Sequence, residues 1–182
     1  MAEDLKKAKE RLLRYLRHEV NDEKVIQTMA QVPRERFVTL PYKHQAYQNI
    51  PLPIGEGQTI SQPYIVAVMT SALDLQETDK VLELGTGCGY QTAILAELVP
   101  RGKVVTVERI VSLAQSSKNL LQLLGYSNVK VKIAGQVLGC LEEAPFDAII
   151  VTAGAPKLHG KLLGQMANYG RMVIPIGSLK EQ

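Results

Sequence analysis

This chain has little of what would mark several functional classes. It holds two cysteines, Cys88 and Cys140, in 182 residues. Two make no disulfide framework, and Cys88 stands inside a glycine-rich stretch where a bridge would obstruct a ligand. A reducing, cytoplasmic setting is therefore expected. The formal net charge is only +3 and no Lys/Arg run forms a stripe, so nucleic acid is not an expected partner. No apolar run reaches the length of a membrane span. The start Met1-Ala-Glu-Asp-Leu-Lys-Lys is too charged for a signal peptide, so no membrane role is expected. Internal repeats and low-complexity tracts are missing too, and no metal site is expected. What remains is 46% hydrophobic and 21% charged residues, the composition of a globular protein. Residues 1–182 fit a single domain with a proper core.

The most informative stretch is Val81-Leu-Glu-Leu-Gly-Thr-Gly-Cys-Gly-Tyr90, continuing to Leu98. Lys80 to Leu84 read as a buried strand. Gly85, Gly87 and Gly89 then break the chain at alternate positions, and Ile94, Leu95 and Leu98 take up helical spacing. Strand, glycine turn and helix open a βαβ unit, in which glycines let the backbone approach a ligand at the strand's carboxyl end. Dinucleotide folds space their glycines as G-x-G-x-x-G, to seat a pyrophosphate on the helix N-terminus. Here the pattern is Glu-x-Gly-x-Gly-x-Gly, with Glu83 two residues ahead of the first glycine. A carboxylate there opposes a pyrophosphate and suits a cationic ligand, which disfavours a dehydrogenase.

Residues 3–19 read as an amphipathic helix burying Leu5, Leu12, Leu13 and Leu16. Asn21 or Asp22 can cap a second helix over 22–31, which stops before Pro33. Residues 33–63 hold five prolines along with Gly55 and Gly57, and are expected to form a long ordered loop, neither helix nor strand. A helix is expected over 64–75. Strands follow at 80–84, 103–108, 129–133 and 146–151, alternating with helices to Val99 and over 111–124. The strand at 146–151 is apolar apart from Asp147 and belongs near the sheet centre. A helix near 158–168 then leads to a last strand at 171–176. This alternation predicts an α/β fold with a doubly wound, mostly parallel sheet. Residues 1–78 supply N-terminal helices and a substrate loop, and 79–177 the cofactor-binding core. The ligand belongs outside the carboxyl ends of strands 80–84 and 146–151, where the strand order reverses. Glu108 ends the second strand 23 positions beyond Gly85, where a carboxylate accepts hydrogen bonds from both ribose hydroxyls of an adenosine. Glu83 is expected to look outward toward the same crevice.

The Glu-x-Gly-x-Gly-x-Gly form resembles the first motif of class I S-adenosylmethionine-dependent methyltransferases, whose fold is Rossmann-like. A second stretch, Leu52-Pro-Ile-Gly-Glu-Gly-Gln-Thr-Ile-Ser-Gln-Pro63, makes the resemblance narrower. Together with Val-Pro-Arg-Glu-Arg-Phe-Val at 32–38, Tyr-Gln-Thr-Ala at 90–93, Val-Glu-Arg at 107–109, Ala-Pro-Phe-Asp at 144–147 and Pro-Ile-Gly at 175–177, it resembles the protein-L-isoaspartate O-methyltransferase family. The resemblance implies methylation of the α-carboxyl of isoaspartyl residues in damaged proteins or peptides, a repair reaction. S-adenosyl-L-methionine is the implied cofactor and S-adenosyl-L-homocysteine its product. By the same resemblance Ser61 is the active-site hydroxyl, with Gln58, Thr59 and Ile60 shaping the pocket. Thr152, Ala153 and Pro156 line the peptide site. Glu83, Gly85, Thr86, Gly87, Gly89, Tyr90, Glu108, Arg109, Gly135 and Gln136 form the cofactor site. The Ser61 hydroxyl could also cap the helix that follows it.

Three departures bear on this reading. Where the family carries Gly-Asp-Gly, whose acid contacts the adenine amino group, this chain has Ala134-Gly135-Gln136. The amide of Gln136 can accept the same bond, more weakly than a carboxylate. The family also continues past the equivalent of Gln182 with a β-hairpin. Its absence is expected to leave strand 171–176 as an open edge through which an oligomer can form. Tyr169 stands where the family has glycine. These departures leave two alternatives: a methyltransferase acting on another acceptor, or a non-catalytic relative that binds an adenosyl ligand or a partner.

Overall fold

The structure, a computed structural model, describes residues 2–152 and 160–177. The N-terminal third is helical. α1 (Ala2–Glu19) and α2 (Glu23–Gln31) bury apolar stripes that include Leu12, Leu16, Val25, Ile26 and Met29. Asp22 is the α2 cap, its carboxylate accepting from the Val25 amide at 3.0 Å and satisfying a donor the first turn leaves open. Val32 ends α2 in an extended conformation, as the residue before a proline prefers.

The stretch 33–63 is more regular than expected. It contains 3-10 turns at Arg34–Arg36 and Leu40–Gln45, and a hairpin of β1 (Leu52–Gly55) and β2 (Gln58–Ile60). β1 pairs antiparallel with β2, Leu52 opposite Ile60 and Gly55 opposite Gln58, and the register shifts between Pro53 and Gly55. Gly55, Glu56 and Gly57 all adopt positive φ, so the glycines serve the turn itself. Prolines tolerated at strand edges and bulges account for the difference from the expected loop. α3 (Pro63–Ser71) starts on Pro63, one residue before the expected 64–75, and ends short of residue 75.

The core is a parallel five-stranded sheet in the order β5-β4-β3-β6-β7. Its strands are β3 (Lys80–Leu84), β4 (Lys103–Glu108), β5 (Val129–Ile133), β6 (Phe146–Val151) and β7 (Met166–Val173). β3 is the middle strand and β6 flanks it. The crossover helices are α4 (Tyr90–Leu98) and α5 (Val111–Leu123). Alternation along the strands divides two cores. Val81, Val104, Ala148 and Ile150 face α4, α5 and the N-terminal helices. Leu82, Leu84, Val105, Val107 and Ile149 face Cys140 and Leu162 on the other side. Each fully buried Leu or Ile contributes about 1.5–3 kcal/mol. α4 is buried on nearly every side, between the sheet and the N-terminal layer, which explains why its sequence is apolar almost all round.

The C-terminal elements differ from the sequence expectation. The helix foreseen over 158–168 is only α6 (Gly160–Leu163) among the described residues, and the strand foreseen at 171–176 begins at Met166. Tyr169, at φ 63° and fully exposed, sits inside that strand. The polar run Ala167-Asn168-Tyr169-Gly170 lacks the apolar signal of a buried strand, since β7 lies at the sheet edge. No described helix is long and apolar enough to cross a membrane.

Candidate active site

The strand order reverses between β3 and β6, and the cleft lies there, at their carboxyl ends. Its cavity volume is about 60 Å³, and the cleft is open to solvent. Four segments meet in it, α3 and three that carry motif residues. The hairpin brings Thr59, Ile60 and Ser61; the glycine turn brings Gly85, Thr86, Gly87, Cys88 and Tyr90; the end of β6 brings Thr152.

The glycine turn is built from the strand ends. The Gly85 and Thr86 amides donate to the Val107 carbonyl, at 2.9 and 3.4 Å, and the hydroxyls of Thr86 and Thr106 pair at 2.6 Å. Gly85, Gly87 and Gly89 all adopt positive φ. A Cβ on Gly87 would stand 3.3 Å from the Ile54 methyl, so the hairpin packs directly on the turn. Gly89 ends the turn in the left-handed region and caps α4.

Glu108 closes β4 beneath this turn. One carboxylate oxygen accepts from the Gly87 amide at 2.9 Å and the other from the Ile110 amide at 3.0 Å. Its described hydrogen-bond partners are thus backbone donors of the turn and of the entry to α5. The Ala134 amide donates to the Glu108 carbonyl at 2.8 Å, which brings the end of β5 alongside. Gly135, Gln136 and Arg109 follow these strand ends, all exposed and outside the cleft lining.

Glu83 does not look into the crevice. It is 0% exposed, and its carboxyl accepts from the Thr92 hydroxyl on α4, below the turn. Strand alternation is the reason: Glu83 shares a face with Val81, toward α4, not with the strand end. Its second oxygen has no partner among the described residues. Burial pushes the carboxyl up to about 7.

The hydroxyls divide the work. Thr152 lies within hydrogen-bonding distance of the Leu84 and Gly85 carbonyls, at 2.9 and 2.6 Å, and so commits its proton to the strand end. The cap of α3 is Gln62, with no side-chain hydrogen bond, so Ser61 does not cap that helix. Gln58 lies at the hairpin turn, its amide 3.4 Å from the Glu56 carbonyl, and does not line the cleft. Ala153 and Pro156 fall outside the described residues.

Sequence reasoning did not find the apolar wall of the cleft, Ile65, Val66 and Met69 from α3, or its polar neighbour Gln91. One helix face of ordinary apolar residues carries no signal of a ligand. Nor did it find Arg34, which lies within the Val32–Val38 motif but bears no mark of burial. Burial pushes the Cys88 thiol up to about 11 and the Tyr90 phenol up to about 12, so both cleft groups stay neutral.

Comparison with known proteins agrees with this geometry. The family model for protein-L-isoaspartate(D-aspartate) O-methyltransferase matches residues 6–182. The chain is 55% identical over 163 residues to a protein-L-isoaspartate O-methyltransferase of Geobacter metallireducens, covering 90% of this chain and 74% of that one. Its fold superposes on a solved protein-L-isoaspartate O-methyltransferase with a TM-score of 0.84 at 30% identity, over 92% of this chain but 55% of that chain's length. A Plasmodium falciparum structure described as a protein-L-isoaspartate O-methyltransferase in complex with S-adenosyl-L-homocysteine superposes with a TM-score of 0.80 at 27% identity, over 93% of this chain and 84% of that one. With its motifs, its switch-point cleft and a family model matched over nearly its whole length, this chain belongs to the protein-L-isoaspartate(D-aspartate) O-methyltransferase family.

Proposed function

We propose that this chain methylates the α-carboxyl of L-isoaspartyl residues in damaged proteins or peptides, with S-adenosyl-L-methionine as donor and S-adenosyl-L-homocysteine as product. The observation that carries the reading is the meeting of Thr59 and Ser61 with the glycine turn in one cleft at the switch point of the sheet. The residues fit an adenosyl cofactor on their own chemistry. Three positive-φ glycines let a ligand approach the backbone, and Glu108 offers a carboxylate whose partners among the described residues are backbone amides. Glu108 is the ribose-binding residue in this reading, with Arg109, Gly135 and Gln136 at the adenine end. Glu83 supports the turn from below through Thr92 on α4.

When bound, the cofactor supplies a methyl group activated by a positively charged sulfur. The acceptor carboxylate, of pKa near about 3.5, is already ionised at neutral pH and needs no general base. The chain's own part is to orient and to exclude water. The Ser61 hydroxyl donates to the acceptor carboxylate and aims one oxygen at the cleft, while Thr59 and Ile60 shape its side. Thr152 holds the end of β6 against β3. The raised pKa of the Cys88 thiol keeps it protonated, so it does not compete as a nucleophile for the methyl group. The test is transfer of labelled methyl from S-adenosyl-L-methionine to a synthetic isoaspartyl peptide. A base-labile methyl ester is expected; peptide without label contradicts the proposal.

A further inference from the structure

Arg34 is fully buried, yet no carboxylate is among its described partners. It opens the 3-10 turn Arg34–Arg36 and spans three segments distant in sequence. Its Nε donates to the Ala46 carbonyl at 2.9 Å, at the end of the second 3-10 turn, and its Nη2 donates to the Ser61 carbonyl at 2.8 Å. The guanidinium lies over the Tyr90 ring, 4.8 Å from its centroid, and Phe37 meets the far side of the cluster edge-on to Tyr90 at 5.6 Å. Burying a cation without a counter-charge costs free energy that an apolar side chain of similar volume would not. What an arginine adds is a rigid planar fork with a face that stacks on an aromatic ring. Here the fork grips the backbone of the hydroxyl residue of the acceptor hairpin, and the face rests on the first residue of α4, directly after the glycine turn.

We infer that Arg34 is a positioning residue for methyl transfer, fixing the Ser61 backbone relative to Tyr90 and so holding the acceptor hairpin in register with the cofactor loop. This rests on the function proposed above. Arg34 does not line the cleft and touches neither reactant; it acts through Ser61. A lysine keeps the charge but offers a point donor in place of the fork, and cannot match both carbonyls and the ring at once. Misplacement of a reacting group by about 1 Å costs on the order of 100-fold in rate.

The experiment compares native chain, Arg34→Lys, Ser61→Ala and the double variant. It measures kcat and KM for an isoaspartyl peptide, S-adenosyl-L-homocysteine affinity by calorimetry, and amide exchange of residues 58–62. Arg34→Lys is expected to lower kcat by about 10- to 100-fold. It should leave product affinity within about twofold and raise exchange at 58–62 while that of β3 stays unchanged. In the Ser61→Ala background the same substitution should cost little more, because the two residues act as one unit. Equal losses in both backgrounds, or affinity falling in step with kcat, overturn the inference. Arg34→Gln is read in the same way if the lysine variant does not fold; failure of both to fold also overturns it, since burial alone then explains the residue. A native chain that leaves the peptide unlabelled sinks the proposed reaction instead, while the exchange at 58–62 still reports whether Arg34 holds the hairpin.

Discussion

At the scale of single residues, three carboxyls and hydroxyls carry separable duties. Glu108 accepts from the Gly87 and Ile110 amides at the end of β4, where we propose that it binds a ribose. Removing a charged hydrogen-bond acceptor costs about 1.5–3 kcal/mol. Glu108→Ala is therefore expected to weaken S-adenosyl-L-homocysteine binding by roughly 10- to 100-fold in a calorimetric titration. Unchanged affinity would remove it from the ribose. Ser61→Ala, by contrast, is expected to lower methyl transfer while leaving that affinity within about twofold, since its hydroxyl serves the acceptor; a drop in affinity alone would make Ser61 a structural residue. Glu83 gives a pH signature. Its carboxyl rises from 4.5 to about 7 on burial, so the folded chain holds the proton more tightly than the unfolded one. Its contribution to stability is full below pH 4.5 and is lost as pH rises through about 7. The loss is on the order of 3 kcal/mol by pH 8. Glu83→Gln keeps the shape without the charge, so its Tm should gain on the native chain as pH rises from about 5 to 8. A pH-independent difference would contradict this account.

At the scale of elements, four of the five strands of the parallel sheet were legible from apolar or alternating runs, and each falls on the residues foreseen. Two kinds of element were not. The hairpin at 52–60 was hidden because its prolines and glycines read as punctuation, although they mark a bulge and a positive-φ turn. β7 was placed late because its first residues are polar and half exposed at the edge, so no period stands out. Much of the cleft was legible through the glycine motif and the Gln-Thr-Ile-Ser-x-Pro loop. The direction of Glu83 was not, because a motif gives position and only the sheet gives the face. The opposite end of the sheet has its own device. Glu143 pairs with Lys103 and Lys130 at 3.3 and 2.5 Å and lies 3.9 Å from Lys80, tying three strands to one 3-10 turn. Lys130, then Lys103, hold its carboxyl down at about 2. This contribution is present above pH 4.5 and is lost as pH falls through about 2. The lysines are a third to a half exposed, which limits the effect to about 1 kcal/mol. Glu143→Gln should lower Tm by a few degrees at pH 7, at ΔΔG of about 1 kcal/mol, and the difference should shrink at low pH. An equal deficit at both pH values would show that packing, not charge, is responsible.

At the scale of the whole molecule, an N-terminal helical layer and hairpin close over the carboxyl edge of a parallel sheet, and the residues proposed for acceptor and cofactor come from opposite sides of that seam. The residues proposed for the adenine, Arg109, Gly135 and Gln136, are all exposed. Gln136 is exposed where the resemblance in sequence implies an acid, and Gln136→Asp is expected to tighten S-adenosyl-L-homocysteine binding; a neutral or harmful effect would take Gln136 away from the adenine. The central claim concerns which carboxyl is methylated. Its most direct test offers the native chain labelled S-adenosyl-L-methionine with two peptides that differ only in carrying isoaspartate or ordinary aspartate at one position. Base-labile label on the isoaspartyl peptide alone is the predicted result. Equal label on both, or none on either, would contradict it.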